Sequence, residues 1–129
     1  MDKVANMLVM IRNANMARHE SVSVPYSKYK HAIAECLLKN GYLKSVNKKT
    51  AKSGFPVLEL ELVYADKKPR VQNVARVSKP SRRMYFGTKD IRPIKNGYGL
   101  LVLSTPKGIL DGKRARQEQV GGEALFKIW

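Results

Sequence analysis

Apolar positions in the first third of the chain fall into two helical rhythms. In "DKVANMLVMIRNAN", Val4, Leu8, Ile11 and Ala14 recur at spacings of four and three, with Met7 beside them. That spacing predicts an amphipathic helix, with Asp2 in front as its N-cap. In "SKYKHAIAECLLKNG", Ser27 stands where a cap is needed, and Tyr29, Ile33, Cys36, Leu37 and Asn40 trace one face. Gly41 then suits the left-handed residue that ends a helix, with Tyr42–Leu43 as its hydrophobic partner. Between the two helices "SVSVP" (21–25) alternates and stops at Pro25, a short strand.

The period then changes to two. In "VLELELVY" (57–64), Leu58, Leu60, Leu62 and Tyr64 share one face, and Glu59 and Glu61 take the other. "NKKTAKSG" (47–54) is polar and ends in glycine, which predicts a hairpin loop, and "ADKKP" reads as a turn. Residues 1–66 therefore read as helix, strand, helix and hairpin: a helix pair on a small sheet. In the rest of the chain, "VQNVARVS" and "RRMYFG" read as strands around a Lys79–Pro80–Ser81 turn. "TKDIRPIKNG" reads as irregular chain or one helical turn, and "YGLLVLS" as a buried strand. Asp111 is placed to cap a short helix over "GKRARQEQ", and "GGEALFKIW" closes as a last strand. The expected class is α+β, in two small α/β lobes. The N-terminal lobe spans 1–66 and a mostly β lobe spans 67–129.

Composition adds a partner. The chain has 129 residues and 43% apolar content, enough to fill a core. Its 25 Lys and Arg face 10 acidic residues, a formal charge of +15. Such a charge opposes compaction unless a polyanion is present, and a strongly basic domain is the footprint of nucleic-acid binding. A membrane surface fits less well: there is no long apolar helix and no basic stretch with a Trp/Phe face. The N-terminus shows no signal-peptide pattern, and the single Cys36 excludes an internal disulfide and a cysteine-rich zinc site. These features point to the cytoplasm. The charge is uneven: residues 67–95 hold ten basic residues and one acidic.

No catalytic set emerges. Glu59 and Glu61 sit opposite the leucines as surface ion-pair partners. His31 and Cys36, five apart on a helix, lie on different faces and offer neither zinc-ligand spacing nor a nucleophilic pair. The G-x-G of "GYGLLVLSTPKG" precedes its strand, the reverse of a dinucleotide fingerprint. No enzyme, metal or cofactor is expected. Two segments instead suit RNA. "RVSKPSRRMYFG" (76–87) brings four cations and a tyrosine onto extended chain, able to pair phosphates and offer a ring to a base; a solvated basic edge strand is the alternative. "STPKG" (104–108) ends the most apolar strand. Proline and glycine fix its shape, and two hydroxyls on short tethers suit a shallow RNA groove, with Lys107 as a phosphate anchor. A turn whose Ser and Thr bond their own backbone would use the same residues.

In order along the chain, "MLVMIRNA", "VPYSKYKHAIAECLLKNGYL", "RVSKPSRRMYFG", "GYGLLVLSTPKGIL" and "VGGEALFKIW" resemble the universal family of small ribosomal subunit protein eight, in its bacterial form. The resemblance covers nearly the whole chain. It implies a two-lobed structural protein of the small subunit that binds ribosomal RNA of the central domain early in assembly, beside neighbouring ribosomal proteins. A family member could also repress its own messenger through the same surface. The implied RNA contacts are Ser104, Thr105, Lys107 and Gly108 in the hydroxyl loop. Tyr85, with Lys79, Arg82 and Arg83, forms the basic strand. Gly121, Gly122 and Glu123 form the last turn, and Lys28 and Lys30 open the second helix. Glu123 accepts only, so it suits either orienting a base amino group or holding Ser104 or an arginine in place; the second is favoured, because an acid near phosphates is repelled. The chain departs from the family pattern in three places. Pro106 stands where a third hydroxyl is usual, Ser81 where glycine is usual, and Val9 and Met10 where Thr and Arg are usual.

Overall fold

The computed structural model describes residues 3–65, 68, 69, 71, 73–79, 81–91 and 99–129. The expected cap at Asp2, the centre of the "ADKKP" turn, Pro80 and the segment 92–98 lie outside the described residues. The architecture is α+β, and the chain divides into two compact units, Lys3–Gln72 and Asn73–Trp129.

In the first unit, helix α1 (Lys3–Met16) is followed by strand β1 (Ser21–Pro25), helix α2 (Lys28–Lys39), and strands β2 (Leu43–Thr50) and β3 (Pro56–Leu62). The three strands form an antiparallel sheet in the order β1-β3-β2. The helical rhythm does what its period requires: Met7, Leu8, Ile11 and Ala14 are buried on α1, and Ile33, Ala34, Cys36 and Leu37 on α2. α1 packs on β1 and α2 on β2, the strands on either side of β3, whose Leu58, Leu60 and Leu62 are also buried. Tyr29 does not share that face; it is exposed, and Lys30 is buried instead. Both ends of α2 are stopped chemically. The Ser27 side chain accepts from the Lys30 N–H at 3.1 Å. At the other end Gly41 has φ +81. The N–H groups of Gly41 and Tyr42 donate to Leu38 and Leu37, which is a Schellman closure.

The polar segment 47–54 is not a loop throughout. Asn47–Thr50 belong to β2, paired residue by residue with Pro56–Glu59. β3 supplies partners for their backbone, and Lys49 reaches Glu59 at 3.0 Å. Only residues 51–55 turn, closed by the Gly54 N–H donating to Ala51. A two-stranded pair, β4 (Tyr64–Ala65) with β5 (Lys68–Pro69), follows.

The second unit contains β6 (Val74–Arg76), β7 (Tyr85–Phe86), a helical turn (Thr88–Asp90), β8 (Leu100–Thr105), β9 (Gly108–Asp111), α3 (Gly112–Gln117) and β10 (Gly122–Ile128). The sheet order is β6-β10-β8-β9, with β7 also pairing β10. Strand β9 is an addition to the sequence reading: "STPKG" turns back tightly, and Gly108–Asp111 pairs with β8. Asp111 caps α3 as its position predicts, accepting from the Arg114 N–H at 3.2 Å. Ile91, Leu101, Leu103, Ala115 and Ala124 form a buried cluster on one sheet face. On β10 the register slips between Ala124 and Phe126, leaving Leu125 as an extra residue opposite β8. Beyond that bulge Phe126 and Ile128 pair with Val102 and Leu100.

Candidate nucleic-acid interface

Strand β10 is the organiser of the second unit's polar end. It pairs Glu123 with Tyr85 of β7 on one side and with Ser104 of β8 on the other. Directly opposed residues in antiparallel strands point to the same face, so Tyr85, Glu123 and Ser104 form a row across three strands. Two glycines permit this. A Cβ on Gly122 would stand 2.1 Å from the Ser104 carbonyl oxygen, and one on Gly121 would stand 2.3 Å from that of Phe86. Both obstacles are backbone, so neither position has room for a side chain.

The row has a distinct chemistry at each place. Tyr85 is 72% exposed, an aromatic ring offered to solvent. Glu123 is mostly covered and holds Arg83 Nη1 at 3.0 Å. It therefore anchors an arginine, one of the two roles its chemistry left open. The Ser104 hydroxyl makes no hydrogen bond among the described residues. Thr105 differs: its hydroxyl donates to the Gly108 carbonyl at 2.8 Å and accepts from the Lys107 N–H at 3.1 Å. A hydroxyl has one proton to give, and Thr105 has given it to its own turn. Gly108, at φ +111, makes the reversal possible. So of the two hydroxyls, Thr105 shapes the corner and Ser104 is available from it. Pro106, Lys107 and Gly108 are exposed at the tip.

The basic segment is tied to the same strand. Ser78 is fully buried. Its Oγ accepts from the Met84 N–H at 2.8 Å and donates to the Met84 carbonyl at 3.1 Å. Arg76 donates twice to the Ser78 carbonyl, at 3.1 and 2.7 Å. Lys79 and Arg82 exchange backbone bonds of 2.9 Å, and both Ser78 and Met84 bond the backbone of Ala124. The result is a clamped hairpin that presents Lys79, Arg82 and Arg83, all exposed, beside Tyr85. Ser78 and Arg76 were missed as positioning residues. Their role rests on backbone carbonyls and amides, which leave no period in a sequence.

The structure thus brings together Tyr85, Arg83, Glu123 and Ser104, with Thr105, Lys107 and Gly108 at one end of the row and Lys79 and Arg82 on the clamped hairpin. Lys28 and Lys30 belong to the first unit. Lys28 is exposed; Lys30 is buried. Among the described residues no group of acidic, His or Cys side chains is arranged to hold a metal ion, and Cys36 is a buried cysteine in the core of its unit. Among them, too, no helix is long and apolar enough to cross a membrane.

Residues 2–129 match the model of the family described as ribosomal protein S8. The chain belongs to the ribosomal protein S8 family. That family is one of ribosomal proteins, not of enzymes. Among its relatives, the small ribosomal subunit protein uS8 of Nitratidesulfovibrio vulgaris (strain DSM 19637 / Miyazaki F) is 44% identical over 128 residues, covering 99% of this chain and 98% of that one. The protein of the same name from Caulobacter vibrioides is 39% identical over 128 residues, covering 99% and 97%. That from Leptospira biflexa is 44% identical over 130 residues, also covering 99% and 97%. The matched residues of this S8 family member run through both units and include the hairpin, the hydroxyl corner and the glycine pair within their span.

Proposed function

We propose that this S8 family member is a structural protein of the small ribosomal subunit, in the cytoplasm, and that it binds small-subunit ribosomal RNA directly through the Tyr85–Glu123–Ser104 row. The row itself carries the reading. It sets an exposed ring, a held guanidinium and an available hydroxyl side by side on a backbone that glycines keep closely spaced. Long-range charge supplies affinity, with Lys79, Arg82 and Lys107 displacing counterions from phosphates. Tyr85 offers a stacking surface to an unpaired base. Ser104 reaches a 2′-hydroxyl or a base edge, while Thr105 and Gly108 hold the corner in shape. Arg83, fixed by Glu123, meets a phosphate at a defined place. No step makes or breaks a covalent bond. Neighbouring small-subunit proteins are the expected further partners.

Filter binding at several salt concentrations tests this. A fragment of the small-subunit RNA central domain should bind at least a hundredfold more tightly than a random duplex of equal length. Equal affinity would leave a merely basic protein. The same assay with the chain's own messenger as competitor decides whether one surface serves both RNAs.

A further inference from the structure

The sheet of the first unit has one uncharged edge and one cationic edge. It runs β1-β3-β2, so β1 and β2 each have a side with no strand beside it among the described residues. β1 holds no charged residue and ends in proline. β2 and the turn after it are different. Residues 43–56 hold four lysines, Lys44, Lys48, Lys49 and Lys52, and no acidic residue. From Asn47 to Pro56 every residue except Ala51 is exposed. The register sets the two middle lysines on opposite faces: Lys48 stands beside Leu58 and Lys49 beside Val57. Each is held near the edge. Lys48 Nζ lies 4.1 Å from the centre of the Tyr26 ring, and Lys49 meets Glu59 at 3.0 Å. Lys52 makes no ion pair among the described residues. The tip is firm as well. The Ala51 N–H donates to the Phe55 carbonyl at 2.9 Å, and the Gly54 N–H donates to that of Ala51 at 2.8 Å. On that turn Phe55 is 73% exposed, with Pro56 exposed beside it.

An unpaired strand side offers a row of N–H and C=O groups that another strand can join. Lysines along it repel strands of their own sign, and this chain, at +15, is one of them. They do not repel an acidic strand. With a lysine on each face, an added strand meets a cation whichever way its carboxylates point. RNA suits the lysines but not the ladder, since its backbone has no alternating N–H and C=O groups. We propose that the free side of β2, Ser45–Thr50, with Lys52 and Phe55 at the tip, docks an extended acidic segment of another protein. The backbone of that segment continues the sheet, its carboxylates meet Lys48, Lys49 and Lys52, and an apolar side chain at its end covers Phe55. Because the turn is already closed by its own hydrogen bonds, little order is lost on docking. This surface shares no residue with the Tyr85–Glu123–Ser104 row and stands whether or not that row binds RNA.

Hydrogen exchange followed by NMR provides the test. The full chain is titrated at low salt with the acetylated heptapeptide Glu-Thr-Glu-Glu-Thr-Glu-Phe amide. At saturation, alternate amides of Ser45–Thr50 should exchange at least tenfold more slowly, because only every second N–H points to the free side. The peptide is then N-methylated at alternate residues, in both phases. One phase blocks the ladder and should bind at least tenfold more weakly than the other. The peptide with Gln in place of Glu should not bind. Lys48→Gln together with Lys52→Gln should weaken binding of the acidic peptide at least tenfold. Phe55→Ala, a change at an exposed position, should weaken it at least threefold and leave RNA binding unchanged. If the two methylated peptides bind alike, no strand is added and the proposal falls. It falls as well if the acidic peptide does not bind or if the Gln peptide binds as tightly. An adenosine hexaribonucleotide that slows the same amides at lower concentration would mean that the occupant is RNA, and would overturn it too.

Discussion

The two units present positive charge in different ways. In the second, cations are exposed on a backbone that is clamped: Arg76 and Ser78 lock the hairpin, and Gly121 and Gly122 let three strands close up. In the first, Lys28 and Lys48 are exposed and Lys30 is mostly covered, and the scaffold around them is ordinary core packing. The difference teaches what each site depends on. The exposed row depends on backbone spacing, so changes with no charge should damage it most. The first unit depends on side-chain volume in its core, so it should tolerate backbone changes at its turns.

The largest expected effect breaks the backbone spacing. Gly122→Ala puts a methyl 2.1 Å from the Ser104 carbonyl oxygen. It should cost about 3 kcal/mol of stability and remove RNA discrimination, measured by urea unfolding and filter binding. Gly54→Ala is the contrast in the first unit. Its Cβ meets nothing within 4 Å, and only the φ of +89 is strained, so about 1–2 kcal/mol is expected. Equal losses would mean that close approach is not what the glycine pair provides.

Next comes the clamp. Ser78→Ala leaves the part-buried Met84 N–H without its side-chain partner, which should cost about 1–3 kcal/mol. The hairpin cations should then bind RNA with less discrimination while still binding it. Ser78→Thr keeps the hydroxyl and should restore the discrimination. A smaller pair of changes separates the two hydroxyls. Ser104→Ala should leave the unfolding midpoint unchanged and weaken cognate RNA binding by about 1 kcal/mol. Thr105→Val should instead loosen the turn by about 1 kcal/mol, seen as faster hydrogen exchange at the Lys107 amide. If Thr105→Val harms RNA binding at unchanged turn stability, the roles are reversed. The smallest effect is in salt dependence. Arg82→Ala should shallow the slope of log affinity against log salt by about 0.7–0.9. Arg83→Ala should shallow it by less, because Glu123 already balances part of that charge.

Much of the architecture was legible. Both helices and β3 announce themselves because burying one face imposes a period, and the stops at Ser27, Gly41 and Asp111 are local chemistry. What could not be read was decided by partners. Asn47–Thr50 became strand because β3 offered hydrogen bonds, against a lysine-rich composition. Tyr29 gave up the buried face to Lys30, since a helix of twelve residues can rotate slightly without breaking its pattern. The β10 bulge is the sharpest case. Strict alternation in "GEALFKIW" groups Glu123 with Leu125 and Lys127. The inserted Leu125 instead sets Glu123 and Phe126 on the face of Ser104 and Val102. For the candidate site, the side chains that project were named from sequence. Those that hold them, Arg76 and Ser78, were not, nor was the internal bond that commits Thr105 to its turn.

The Arg83–Glu123 contact also sets how the hairpin meets an anion. A guanidinium carries five N–H groups in a rigid fork, so a carboxylate that takes one edge at Nη1 also sets the direction of the rest. On the proposed reading, an RNA phosphate drawn in by Lys79 and Arg82 would meet an arginine already pointed, and less side-chain freedom would be lost on binding. The carboxylate would then give up some local positive charge in return for aim.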